Sequence, residues 1–283
     1  MLKIFDASKG EEKELFAALE SRAGSEAQEI SQKVRQVIED VRREGDAALL
    51  RYCEQFDGVS LSSLCLSEQE IADCLSAVDP ALFATMQKAA ANIRAYHEKQ
   101  LCAGYEMREN GRMLGRIVRP LERVGVYVPG GTAAYPSTVL MNCIPAAVAG
   151  VGEIVLVTPP KAEGVNPAVV AAAKIAGVSR IFTVGGAQAV AALAYGTQSI
   201  PAVDKIVGPG NVFVAEAKRQ VYGIVDIDMI AGPSEGLVPV SYTHLHQMAC
   251  GRFASDRDFR KNAQYFGGHR DHHYPVLFHA RAG

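Results

Sequence analysis

The sequence predicts an α/β fold built on a parallel sheet, and three observations carry that prediction. Short apolar runs at 124–128, 154–157, 181–184, 205–207 and 224–230 lack polar alternation, as strands buried on both faces do. Ala-rich segments of helical length lie between or beside them, at 136–149, 166–176, 187–195 and 211–222. Strand, helix and strand in that order make crossover units, whose strands run parallel. A helical region precedes them.

That region covers residues 8–100. Ser25 with Gln28 forms a capping box, and Ile30, Val34, Val37, Ile38 and Val41 then make one apolar stripe. Gly45 closes the helix, and Asp46 is placed to cap the next one, which carries Leu49, Leu50 and Cys53. Ser67 and Glu70 repeat the capping box ahead of Ile71, Cys74, Leu75 and Val78. Asp79-Pro80 opens a longer helix with Leu82, Met86, Ile93 and Tyr96 on its apolar side, and His97 near its end reads as a capping or surface residue. Asn110-Gly111, between Met107 and the run Arg112-Met113-Leu114, reads as a two-residue hairpin turn.

Composition bounds the function. Of 283 residues 48% are hydrophobic and 21% charged, with net charge −2, so a large core can form and no basic excess points to nucleic acid. The opening MLKIFDASKGEEKE lacks the basic and apolar regions of a signal peptide. No apolar run approaches the ~20 residues of a membrane span. Cys53, Cys65, Cys74, Cys102, Cys143 and Cys250 are scattered without a CxxC, the pattern of reduced thiols in a cytoplasmic protein.

Ligands of such a sheet bind where strands end, and here those exits are glycine-rich. The first runs Tyr127-Val128-Pro129-Gly130-Gly131-Thr132, and later ones Gly185-Gly186-Ala187-Gln188, Gly208-Pro209-Gly210-Asn211 and Ala231-Gly232-Pro233-Ser234-Glu235. Glycines there let backbone amides approach a phosphate, and each following helix offers its N-terminal donors. Singly each is ordinary turn chemistry: Asn211 and Gln188 at helix starts read as caps, and Tyr127 as edge packing. Gly208 to Phe213 begins like GxGxxG but ends in Phe, so it fails as a dinucleotide fingerprint.

Together the segments GVYVPGG (125–131), GGAQAVAALAYGT (185–197), KIVGPGNVFVAEAKRQV (205–221) and DMIAGPSE (228–235) resemble, in order, the signatures of the histidinol dehydrogenase family. The resemblance runs from the N-terminal helices to about residue 238. It implies a zinc-containing enzyme that oxidises L-histidinol to L-histidine and reduces two NAD in two steps. It implies an incomplete Rossmann-like parallel sheet in an aldehyde-dehydrogenase-like three-layer α/β/α arrangement, and an intertwined homodimer. Tyr127, Gln188 and Asn211 fall at the family's NAD-contacting positions, and Ser234 at a substrate-contacting serine. The implied division is 1–119 as helical region with hairpin, 120–238 as NAD-binding domain, and 239–283 as a tail foreign to the family. A sulfopropanediol-type dehydrogenase of the same family shares this framework.

The family's zinc ligands and its Glu-His acid–base pair belong downstream of Ser234, starting with a Gln-Ala-Glu-His segment. Residues 255–259 read Ser-Asp-Arg-Asp-Phe instead, so no catalytic or zinc-binding residue is assigned. Beyond residue 240 lie His244, His246, His269, His272, His273 and His279, while apolar periodicity disappears. Such a shift reads as a frame change, a chimeric join or a truncated gene. The alternative is a metal site from His269, Asp271, His272 and His273, although adjacent histidines share one ion only on a bent backbone. The expectation is therefore a chain inactive alone, or a non-catalytic fragment that binds nucleotide.

Overall fold

A computed structural model describes Lys13, Glu14, Phe16 and residues 26–130 and 135–230. Contacts group residues 18–232 into one unit, which holds every element below. Helix α1 (Glu26–Glu44) turns at Gly45 into α2 (Asp46–Tyr52), followed by a π turn at Cys53–Asp57. Then come α3 (Glu68–Ser76), α4 (Pro80–His97), β1 (Tyr105–Glu109) and β2 (Arg112–Arg116). The α/β part is β3 (Arg123–Tyr127), α5 (Pro136–Val148), β4 (Glu153–Thr158), α6 (Pro167–Ala176), β5 (Arg180–Thr183), α7 (Gly186–Tyr195), β6 (Lys205–Val207), α8 (Val212–Val221) and β7 (Asp226–Ile227).

Strands β3 to β7 form one parallel sheet in the order β5-β4-β3-β6-β7, with Val126 opposite both Leu156 and Val207. Alternate residues feed two cores, as the two-residue period of a strand requires. Val124, Val126, Val128, Ile154, Leu156 and Ile181 pack with buried residues of α4, α5 and α6. Tyr127, Val155, Val157 and Phe182 face the other way, onto α1, α2, α7 and α8. The result is the expected three-layer α/β/α arrangement. The stripe Val34, Val37, Ile38 and Val41 is buried, each side chain removing roughly 1.5–3 kcal/mol worth of apolar surface from water.

The ends of elements follow local chemistry in most places. Ser67 Oγ accepts from the Glu70 N–H while Glu70 bonds back to the Ser67 N–H, a full capping box. Asp79 caps α4 ahead of Pro80. His97 ends that helix with Nδ1 2.6 Å from Gln100 Oε1. Asn110 and Gly111 both have positive φ, 49° and 76°, as a type I′ hairpin turn requires. Ser25 lies outside the described residues.

Two expectations are corrected. Asp46 does not cap α2: Gly45 is the N-cap without a side-chain bond, and the Asp46 carboxylate accepts from the N–H and hydroxyl of Ser199. The strand expected over 224–230 shrinks to Asp226–Ile227. It lies at the sheet edge with β6 as its one strand partner, so only its inward residues Val225 and Ile227 are buried. At the opposite ends of the strands, Glu153 bridges Arg123 and Arg180 and ties β3, β4 and β5 together. Cys53, Cys65, Cys74, Cys102 and Cys143 are all free thiols. Among the described residues no helix is long and apolar enough to cross a membrane.

Candidate functional site

The strand order reverses at β3. The chain leaves β3 towards β4 through α5, which packs on one face, and leaves β6 towards β7 through α8, which packs on the other. Loops that diverge this way leave a crevice at the carboxyl ends of β3 and β6. Tyr127 closes β3 there and Gly208 follows β6.

Tyr127 is 3% exposed, and its Oη accepts the N–H of Gly186 at 3.1 Å. That amide opens α7, whose N-cap Gly185 has no side chain, so the phenol supplies the missing acceptor from another strand. Burial raises the Tyr127 pKa, the Gly186 bond opposes the shift, and the charge of Asp57 adds to it. The phenol is therefore neutral near pH 7. Among the described residues nothing accepts its own proton, which stays available for a ligand.

Gln188 sits in the first turn of α7 and is 1% exposed. Read alone it would be a helix-start cap, but the structure makes it an interior residue. Its side chain folds back against Gly186, where an added Cβ would lie 2.5 Å from Oε1, and that buried oxygen has no hydrogen-bond partner. Asn211 does act as a cap: its Oδ1 accepts from the N–H groups of Phe213 and Val214, both at 3.1 Å. The third predicted contact thus stands at the N-terminus of α8, beside the turn after β6. Ser234, Gly131 and Thr132 lie outside the described residues, as do all the histidines of the tail.

Lys218, its partner Asp228 and Asp57 escaped the sequence reading. Lys218 is 3% exposed and bonds to Asp228 and to the Gly208 carbonyl. Its signal was present, since Val214, Ala217, Lys218 and Val221 follow i, i+3, i+4, i+7 spacing along α8 and put a lysine inside an apolar stripe. Asp57 ends the π turn with a buried Oδ2 that has no partner, and burial raises its pKa. Nothing in its local sequence marks that burial.

The geometry fits an uncharged, hydrogen-bonding ligand face with an anion nearby. It offers a neutral phenol donor, an orphaned buried amide oxygen, glycine-lined turns and the N-termini of α7 and α8. These are the groups a dinucleotide needs, namely donors for phosphate and acceptors for ribose hydroxyl or carboxamide N–H. For a metal the fit is absent among the described residues, where no three of His, Cys, Asp or Glu cluster.

Comparison with known proteins agrees with this geometry. The family model for histidinol dehydrogenase matches residues 20–250, beyond the point near 238 where the ordered motifs stop. The histidinol dehydrogenase of Listeria monocytogenes is 54% identical over 211 residues, covering 74% of this chain and 49% of its own. That of Streptococcus mutans is 56% identical over 208 residues, covering 73% and 48%. A crystal structure of histidinol dehydrogenase from Elizabethkingia anophelis aligns with TM-score 0.69 and 40% identity over 72% of this chain and 48% of its own. The chain spans about half the length of the curated relatives it matches.

Proposed function

The chain belongs to the histidinol dehydrogenase family, and on that premise we propose that it supplies the nucleotide-binding part of an enzyme that oxidises L-histidinol to L-histidine. The observation that supports this most is that the Tyr127 phenol, at the end of β3, accepts the Gly186 N–H in the turn of α7 that carries Gln188, while Asn211 caps α8 after the neighbouring strand β6. In this reading residues 120–238 are the NAD-binding domain, with residues 1–119 as its helical region and hairpin. Residues 239–283 are the tail.

NAD, when bound, takes the hydride at each of the two oxidations. The residues of this chain hold and orient it. Tyr127 donates its free phenol proton to a ligand oxygen while its lone pair stays on Gly186. Gln188 accepts a ligand donor at its orphaned Oε1 and so ends the cost of a buried unpaired oxygen. Asn211 keeps Oδ1 on the α8 amides and presents Nδ2. None of these groups changes charge on binding. Ser234 contacts the amino alcohol, as the family position implies. The zinc of the family needs ligands that the described residues do not supply, so no step is routed through it. In this reading the chain as given is inactive alone, because residues 255–259 do not carry the family's Gln-Ala-Glu-His segment, and it pairs as a homodimer, as the resemblance implies.

The test compares the 283-residue chain with a version carrying a relative's downstream half, each given L-histidinol, NAD and zinc. The joined protein should form NADH and the short chain should bind NAD without turnover. Turnover by the short chain refutes its inactivity, and no NADH from a folded joined protein refutes the assignment. Offering a sulfonate diol beside histidinol separates the two branches of the family.

A further inference from the structure

Lys218 occupies a position where an apolar residue would pack as well, on the buried stripe of α8 with Val214, Ala217 and Val221. Its side chain is 4% exposed and its partner Asp228 is 28% exposed. Replacing a buried ion pair by well-packed apolar groups is often neutral or stabilising, so stability alone is a poor reason for a lysine here. What the pair adds is direction. Nζ donates to the Gly208 carbonyl and to Asp228 Oδ1, both at 2.6 Å. Asp228 Oδ2 accepts the Gly208 N–H at 2.8 Å, and Oδ1 also accepts the Met229 N–H at 2.7 Å. The Asp228 N–H in turn donates to the Ile206 carbonyl at 3.1 Å.

Both polar groups of the Gly208 backbone are therefore held by one pair, a buried lysine and a partly exposed aspartate. Gly208 lies at φ +110° against β3, where an added Cβ would come within 2.1 Å of the Tyr127 carbonyl oxygen. Three residues on, Asn211 caps the helix that carries Lys218. The exits of β3, β6 and β7 thus meet at a single clamp, between two of the residues assigned to NAD.

We propose that Lys218 and Asp228 are positioning residues for the nucleotide, fixing the Gly208-Pro209-Gly210 turn and the β7 exit in the geometry that receives it; this rests on the NAD reading of the site. Sites held by a supporting shell lose function when that shell is loosened, even with every contacting residue intact.

The test uses the full chain as Lys218→Met, Asp228→Asn and the double variant. Each is followed by thermal melting, amide hydrogen exchange and titration with NAD. Each single variant leaves one partner unpaired, so both melt lower than the parent. The double variant buries no charge and regains much of that loss. Its NAD affinity should nonetheless stay down by roughly tenfold or more, the usual scale for loss of an orienting partner. Exchange at Gly208 and Met229 should stay fast in it while Ile206 keeps its protection. If NAD affinity recovers together with the melting temperature, or exchange at Gly208 matches the parent, the pair is a packing device and the proposal fails. A parent chain that binds no NAD defeats the nucleotide reading and removes the ligand from this proposal. Exchange then still decides whether the clamp orders the turn.

Discussion

The carbonyl oxygen of Gln188 is buried beside Gly186 with nothing to bond, in a protein that finds partners for nearly every other buried side-chain atom described. An unpaired buried acceptor costs about 1–3 kcal/mol, whereas a methionine of similar length fills the same space with no such cost. Gln188→Met should therefore raise unfolding stability by about 1 kcal/mol, measured by urea denaturation. It should also weaken NAD binding in a parallel titration, because the orphaned oxygen is the group the ligand satisfies. A stability gain with unchanged NAD affinity would show the oxygen has no ligand, and a loss of stability would show a partner the structure does not record. Tyr127 offers the contrast. Its oxygen is already committed to the Gly186 N–H, so removing it would cost the fold as well as the ligand.

At the scale of elements, the turn after β6 shows how the sheet and the site constrain each other. Its glycines do not follow the dinucleotide fingerprint, yet Gly208 makes the close approach that such glycines permit, here against Tyr127 of the neighbouring strand. Gly208→Ala places a methyl 2.1 Å from that carbonyl oxygen at a φ of +110°, a region side chains avoid. The expected loss is at least ~2 kcal/mol, seen as a lowered denaturation midpoint, and a parent-like midpoint would contradict the geometry. The buried strands, their helices and most caps were legible in the sequence because each depends on residues within one turn or one strand of each other. Asp46 was misread because its partner Ser199 is distant in sequence. The second half of the expected strand at 224–230 failed because an edge position with one partner strand pairs few residues, whatever their propensity. The site was legible as glycine-rich exits, but the burial of Gln188 was not. It depends on α7 packing against α1 and α8, which no local pattern records. Lys218 was legible in principle, as a charge in an apolar period, and was passed over because lysine is ordinarily exposed.

For the whole molecule, the two cores and their polar borders predict a stability profile with two arms in pH. On the acid side, the Arg219 guanidinium, helped by Gln220, holds the Glu216 carboxyl down at about 2, although partial burial opposes this. Tyr52 lowers Asp40 through its hydroxyl, against burial. Burial raises Glu153, but Arg123 and Arg180 outweigh it and the net shift is downward. A carboxyl lowered on folding stabilises at pH above its unfolded value of about 4.3, and that contribution is lost as pH falls through the folded value. The acid arm therefore runs from about pH 4.5 down towards 2, softened by solvent because Arg219 is half-exposed. On the alkaline side, burial pushes the Cys53 and Cys143 thiols up to about 12. The unfolded chain releases those protons near pH ~8.5 while the folded one retains them, so stability declines as pH rises from there. Urea midpoints measured across pH should thus form a plateau between about 5 and 8 with a decline on each side. The Cys53→Ala, Cys143→Ala double variant, though less stable throughout from lost packing, should show a shallower decline between about pH 8.5 and 10 and an unchanged acid arm. An alkaline decline as steep as the parent's would mean the thiols do not carry it.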